Sequence, residues 1–277
     1  MNAAGDRYTV LIMAANRRGT SSPIARMGGV TNKCVVPVAG VPMIERVLRA
    51  IEGWGKAKKI LVSIEDGAVL DAVPYAAGLR DSGRIVIVQS GETLTKSVVT
   101  ATDDLTDADY PLLITTADNV LHTPQIIDDF CTAFEASGAD AGFALTPFTE
   151  VARVYPKDAP DVGYLQLAEG QHSNCNIYIL KSARVLPVVR TMQEGGQFRH
   201  YPMRIVRAFG LWSMIKYKLG RARIADIKNR LERLFGVKVE PVLLLHAEAP
   251  IDVDNPASYE LATRILTQRE KTAAPAS

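Results

Sequence analysis

Three stretches of this chain hold residues that could act on phosphate. The first apolar run leads into AANRRGTSSPIARMGGVTNK, which gathers Arg17, Arg18, Arg26 and Lys33 with Gly19, Gly28 and Gly29. Small residues after a strand let backbone N–H groups approach a polyphosphate, and cations around them neutralise it. A solvated basic loop would have the same composition. Neither common phosphate fingerprint is present: there is no G-x-G-x-x-G, and SGETLTKS over 90–97 has Ser90 and Thr95 where a Walker loop has glycines. Further on, LLITTADNVLHTP places Asp118 after an apolar run and ahead of Thr123-Pro124, and IDVDNPASYELA places Asp252 and Asp254 ahead of Asn255-Pro256. Carboxylates so placed can hold Mg²⁺, which takes one or two of them and fills its shell with phosphate oxygens and water. Each could equally cap a turn or start a helix. The two acidic sites gain meaning only when considered together.

The elements that must position these groups alternate along the first half. Apolar, β-rich runs fall at 8–14, 59–64, 84–89, 111–116 and 140–145, and helical stretches at 42–54, 68–79, 95–104 and 124–137 lie between them. In PMIERVLRAIEGW, Met43, Val47, Leu48 and Ile51 fall on one stripe. This alternation predicts an α/β chain with a Rossmann-like, mostly parallel sheet and helices on both faces. Ligands bind such sheets at the carboxyl ends of the strands, where all three stretches lie. The second half predicts strands at 164–167, 176–180 and 237–246, a helix over 183–193 and a closing helix after Pro256.

With 277 residues, 47% hydrophobic and 22% charged, the chain can bury a large core and is neither disordered nor collagenous. One domain over 1–270 is expected, with a polar tail over 271–277 that frays. Cys34, Cys131 and Cys175 are odd in number and far apart, which argues for buried thiols rather than disulfides or a metal knuckle. The four histidines are too scattered for zinc. The net charge of +2 offers no general attraction for nucleic acid. Charge is concentrated instead: 199–238 holds eleven basic residues against Asp226 and Glu232, about +9, within a basic helical insertion expected over 195–236. Cations interleaved with aromatic and aliphatic residues suit an anionic membrane surface or a phosphate-bearing acceptor, and suit equally an insertion packed on the core with its cations in water. The apolar run 10–15 is too short for a signal peptide or a membrane span, so a cytoplasmic protein, with peripheral membrane contact at most, is expected.

The order LIMAANRRG, ARMGGVTNK, CVVPVAGVPMIERVL resembles the sugar-nucleotidyltransferase superfamily, in particular the MobA-like branch with molybdenum cofactor guanylyltransferase and methylerythritol phosphate cytidylyltransferase. The resemblance covers most of the chain. It implies a nucleotide-diphospho-sugar transferase fold, GT-A-like, in which Lys33 is the signature lysine and Asp118 and Asp254 hold Mg²⁺. It places Ala14, Ala15, Asn16, Arg17 and Gly19 on the triphosphate, with Arg26 as the other candidate for the loop arginine. QSGETLTKSVVTA resembles the base-recognition segment, which puts Gly91 and Ser97 near the nucleobase. SNCNIYIL resembles the strand near the acceptor, with Asn174 matched and Asn176 where glycine is usual. Only one glycine of the family's G-G-x-G-x-R loop is retained, Gly19. The implied reaction moves a nucleoside monophosphate from CTP or GTP onto a phosphorylated sugar, polyol or alcohol, with Lys33 and Asp118 catalytic. A glycosyltransferase of the related fold and a catalytically silent nucleotide-binding protein are the other readings. Against glycosyl transfer stands Ala117-Asp118-Asn119 where a D-x-D would be expected.

Overall fold

A computed structural model describes residues 7–16, 22–156, 164–187, 189–190 and 216–273. The chain lays down β1 (Tyr8–Met13), α1 (Pro23–Met27), a small hairpin of β2 (Pro37–Val38) and β3 (Val41–Pro42), α2 (Met43–Trp54), β4 (Ala57–Ile64), α3 (Pro74–Asp81) and β5 (Ile85–Gln89). It continues through α4 (Leu94–Thr102), β6 (Leu112–Thr116), α5 (Pro124–Ser137), β7 (Ala141–Pro147), α6 (Phe148–Val154), β8 (Leu165–Leu167) and β9 (Gly170–Leu180). After the segment outside the described residues come α7 (Ile224–Phe235), β10 (Val239–Leu243) and α8 (Pro256–Ala273).

One mixed sheet runs in the order β10-β7-β9-β6-β1-β4-β5, with β8 paired to β9. Within that order, every pairing is parallel except those of β9 with β6 and β7. All six residues of β1 are buried, as a strand covered on both faces must be. Its side chains alternate between two cores: Val10 and Ile12 join α2 and α5 on one face, and Leu11 and Met13 join α4 on the other. On α2 the buried residues Met43, Ile44, Val47, Leu48, Ile51 and Trp54 follow the helical period, and the helix stops at Gly55, whose φ of 69° suits a residue without Cβ. From β1 the chain steps outward through β4 to β5, then returns to place β6 on the other side of β1. The carboxyl ends of β1 and β6 therefore part around a crevice. A third apolar cluster of Ile24, Val120, Leu121, Ile251, Val253 and α8 residues braces that edge.

Several boundaries differ from the sequence reading. The helix expected over 68–79 is two pieces, a 3₁₀ turn Gly67–Ala72 and then α3, because Pro74 holds Val73 extended and opens a new helix. The strand expected at 176–180 begins at Gly170, six residues earlier. Strand 237–246 shortens to β10, whose Pro241 is tolerated because β10 is an edge. α8 runs to Ala273, so the expected tail starts as helix. Within the basic insertion, α7 is helical as expected, whereas 195–215 lies outside the described residues. All three cysteines are buried thiols, and burial pushes Cys34 and Cys175 up to about 12. Among the described residues no helix is long and apolar enough to cross a membrane.

Candidate active site

Lys33 opens a 3₁₀ turn after Asn32, and two asparagines lock that turn against the end of β1. Buried Asn32 accepts from the Cys34 N–H at 2.8 Å and donates to the Ala14 carbonyl at 3.2 Å and to Glu65 at 2.9 Å. Asn16 accepts from the Lys33 N–H at 3.2 Å while its own amide donates to Thr31 at 2.6 Å. The ammonium so positioned meets Asp118 at 2.5 Å and also contacts Asp254. Burial alone would lower the Lys33 pKa, but the two carboxylates outweigh it and hold it above its usual value.

Asp118 follows β6, and its carbonyl accepts from Val253 N–H at 3.1 Å, tying the β6 end to the loop ahead of α8. The Thr116 hydroxyl lies against its carboxylate. Burial would raise this carboxyl; the Lys33 charge and these hydrogen bonds hold it below the usual range. The rival role for Asp254, capping α8, belongs to its neighbours: Ser258 N–H donates to the Asn255 side chain at 3.0 Å, and Ser258 Oγ accepts from Asp254 and Asn255. Asp254 is thereby left to face Lys33. Asp252 points the same way, and one oxygen each of Asp118, Asp252 and Asp254 all lie within 4.8 Å of one another. Desolvation and repulsion from the other two carboxylates push Asp252 up to about 7. Its partner is Asn176, whose amide donates to Asp252 at 3.0 Å. Asn176 has φ of 52° at an irregularity where β9 shifts register against β7 between Phe143 and Leu145. Asparagine tolerates that left-handed conformation, and the family resemblance has glycine at this place.

The structure thus brings Lys33, Asp118 and Asp254 together and adds Asp252, which the sequence offered beside Asp254, with Asn176, Asn32 and Glu65, to which the sequence gave no role. The D-x-D of 252–254 was the available signal. Ala14 N–H is held in the sheet by Ser63 at 2.9 Å, and Asn16 N–H donates to Glu65 at 3.1 Å. Of the three loop residues, Ala15 alone has an N–H with no partner among the described residues. Arg17 and Gly19 lie outside the described residues, and Arg26 is exposed in the last turn of α1. Ser97 is buried and clasps Gly91, whose N–H donates to its hydroxyl at 2.9 Å. A side chain at Gly91 would collide with the Lys96 backbone at 2.8 Å, so this loop needs glycine for close approach. Asn174 donates to Tyr178 at 2.5 Å and accepts from Asn176 N–H at 3.0 Å, which pins the irregular stretch of β9.

The sequence model of the MobA-like NTP transferase domain matches residues 10–206, well over half of the chain. The chain belongs to the MobA-like NTP transferase family. No curated protein matches it by sequence. Among solved structures it is similar to a hypothetical transferase from Thermus thermophilus, with 22% identity and a TM-score of 0.73 over 91% of this chain and 99% of that one. It is also similar to CMP:2-keto-3-deoxy-manno-octonic acid synthetase complexed with CTP (16%, TM-score 0.53) and to 4-diphosphocytidyl-2C-methyl-D-erythritol synthase from Anaerococcus prevotii (12%, TM-score 0.59), each over 95% of this chain and 99% of the other. At such identities these likenesses concern the fold: the MobA-like NTP transferase sheet of the expected nucleotide-diphospho-sugar transferase class.

Proposed function

We propose that the protein transfers a nucleoside monophosphate from CTP or GTP to a small phosphorylated acceptor, a sugar, polyol or alcohol phosphate. The observation that carries this reading is the Lys33 ammonium set between Asp118 and Asp254 at the crevice between β1 and β6. An acceptor phosphate oxygen attacks the α-phosphorus, the bond from that phosphorus to the bridging oxygen breaks, and pyrophosphate leaves with the electron pair. A phosphate dianion is already nucleophilic, so no general base is needed, and catalysis reduces to positioning and charge neutralisation. Lys33 supplies the cation that draws acceptor phosphate and α-phosphate together. Its backbone is fixed by Asn16 and Asn32, so little reorganisation accompanies the reaction.

The oxygen-only donor set of Asp118, Asp252 and Asp254 fits a hard dication, and the Asp252 carboxyl, raised by burial and then by the two neighbouring carboxylates, is one that a cation there would relieve. Asp118 and Asp254, joined by Asp252, would hold Mg²⁺. When bound, the ion offsets charge growing on the phosphate oxygens.

The test is an array of the four nucleoside triphosphates against phosphorylated sugars, polyols and alcohols, read by pyrophosphate release with Mg²⁺ present. Release confined to CTP or GTP with one phosphorylated acceptor supports the reading. Nucleotide binding without release across the array would make the chain a silent binder, and consumption of a nucleotide sugar instead would make it a glycosyltransferase.

A further inference from the structure

Nucleotidyl transfer leaves the basic segment unused. Its described part, 216–238, carries eight basic residues against Asp226 and Glu232; 199–215 lies outside the described residues. Topology sets its place. β9 runs antiparallel to β7 with His172 opposite Pro147, so the turn joining β8 to β9 lies beyond the carboxyl end of β7. Ala168 N–H donates to the Ala222 carbonyl at 2.8 Å and Ile224 N–H to Glu169 at 3.3 Å, mooring 216–224 to that turn. From there α7 runs back along β10 toward the opposite edge. The lip 216–223 therefore stands on the sheet edge that holds Lys33 and Asp118.

On this lip apolar and cationic residues alternate, KYKLGRAR. Leu219 is 62% exposed and Tyr217 41%, while Leu245, 67% exposed, follows β10 at the same edge. Lys216 pairs with Asp226, but Lys218, Arg221 and Arg223 are exposed and form no ion pair among the described residues. A protein partner's interface would be centred on a contiguous apolar patch depleted of charge. Here Tyr217 lies between Lys216 and Lys218, and Leu219 follows Lys218. That pattern suits a boundary between two phases, with leucine and tyrosine entering the acyl region and the long cationic side chains reaching phosphate head groups.

We propose that the lip 216–223 seats the protein on an anionic lipid bilayer, with the reaction-site edge of the sheet turned toward the lipid. The seat is electrostatic and apolar at once, so salt weakens it and neither component suffices alone. The orientation would bring the crevice to phosphate groups at the surface.

The experiment sediments the full chain with vesicles of phosphatidylcholine alone or mixed with phosphatidylglycerol, at low and high salt and without nucleotide, so its outcome is independent of the transfer reaction. The expected result is binding to the mixed vesicles only, lost at high salt. Lys218→Gln with Arg221→Gln should weaken it roughly fivefold for each cation removed. Leu219→Asp should weaken it about tenfold. These variants should keep the wild-type melting temperature, which shows that they fold. No association at low salt, equal binding to neutral vesicles, or binding indifferent to both sets of substitutions would overturn the proposal.

Discussion

Lys33 has two tasks, and they are separable by experiment. Without ligands it neutralises Asp118 and Asp254; in the proposed reaction it neutralises phosphate. Lys33→Ala should lower turnover roughly a thousandfold, of the order of 4 kcal/mol, since a fixed cation aimed at developing phosphate charge is lost. Near-normal turnover in the pyrophosphate assay would remove Lys33 from the reaction. The same change should cost about 1–3 kcal/mol of stability in chelator, because two carboxylates lose their counter-charge at a site only partly open to solvent. Replacing Asp118, Asp252 or Asp254 by Asn keeps shape and removes one charge, and each variant should need about tenfold more Mg²⁺ to reach half its maximal rate. A magnesium titration in which Asp254→Asn tracks the wild type would leave Asp254 as no more than a helix flank. Asp118 and Asp254 were legible because each follows an apolar run and precedes a proline-opened helix. Asp252 was not separable from Asp254 in sequence, since the outcome turns on which neighbour caps α8, and that is decided by Asn255 and Ser258. Asn16 was read as a phosphate contact by resemblance. Its hydrogen bonds hold the Lys33 turn, a pairing across seventeen residues that no local pattern displays.

At the scale of elements, β9 carries the least legible feature. A period-two pattern shows only that 176–180 alternates; it cannot show that the strand starts at Gly170 or shifts register midway. The reason is physical: the irregular stretch is specified by one backbone torsion at Asn176 and by the Asn174 amide, and neither residue type is diagnostic of a strand. Strands β1, β4, β5, β6 and β7 and helix α2, by contrast, were readable within a residue or two, because burial on both faces demands continuous apolar runs and a covering helix demands a stripe. Asn176 separates fold from chemistry. Asn176→Gly keeps the positive φ at no steric cost but loses the hydrogen bond to Asp252, so thermal stability should hold while the Mg²⁺ requirement rises about tenfold. Asn176→Ala loses the same bond and adds strain of about 1 kcal/mol, so its melting temperature should drop a further 2–4 °C or about that. Equal melting temperatures for the two variants would mean that the torsion at this position is not what the residue type is there to satisfy.

For the molecule as a whole, the reaction edge is held by contacts between distant segments, and His122 is one of the groups among them that titrate. It is 6% exposed, and its Nε2–H donates to the Ala249 carbonyl at 2.9 Å, joining the loop after β6 to the loop after β10. Burial disfavours the imidazolium and brings the folded-state pKa down from 6.5 to about 4, against smaller contributions from the Ala249 carbonyl and Asp118 that favour the charge. The unfolded chain takes up this proton below about pH 6.5 and the folded one only near pH 4. The stability due to the neutral, buried ring is thus complete above pH 6.5 and is lost as pH falls toward 4, by about 3 kcal/mol. Asp252 pulls the other way: its raised carboxyl binds a proton in the folded state first, so it favours folding as pH drops below about 7. The two opposing groups flatten the acid limb of the wild-type profile, and the histidine is visible only by difference. His122→Gln preserves an N–H donor for Ala249 and removes the titration, whereas Asp252 is common to both proteins and cancels. Denaturant unfolding of the pair at intervals from pH 7 to about pH 4 should show the wild type losing about 3 kcal/mol relative to the variant, with most of the change between pH 6.5 and 4. A difference that stays constant across that range would mean that His122 is protonated in the folded protein as readily as in the unfolded chain, and that the junction between the two loops is open to water.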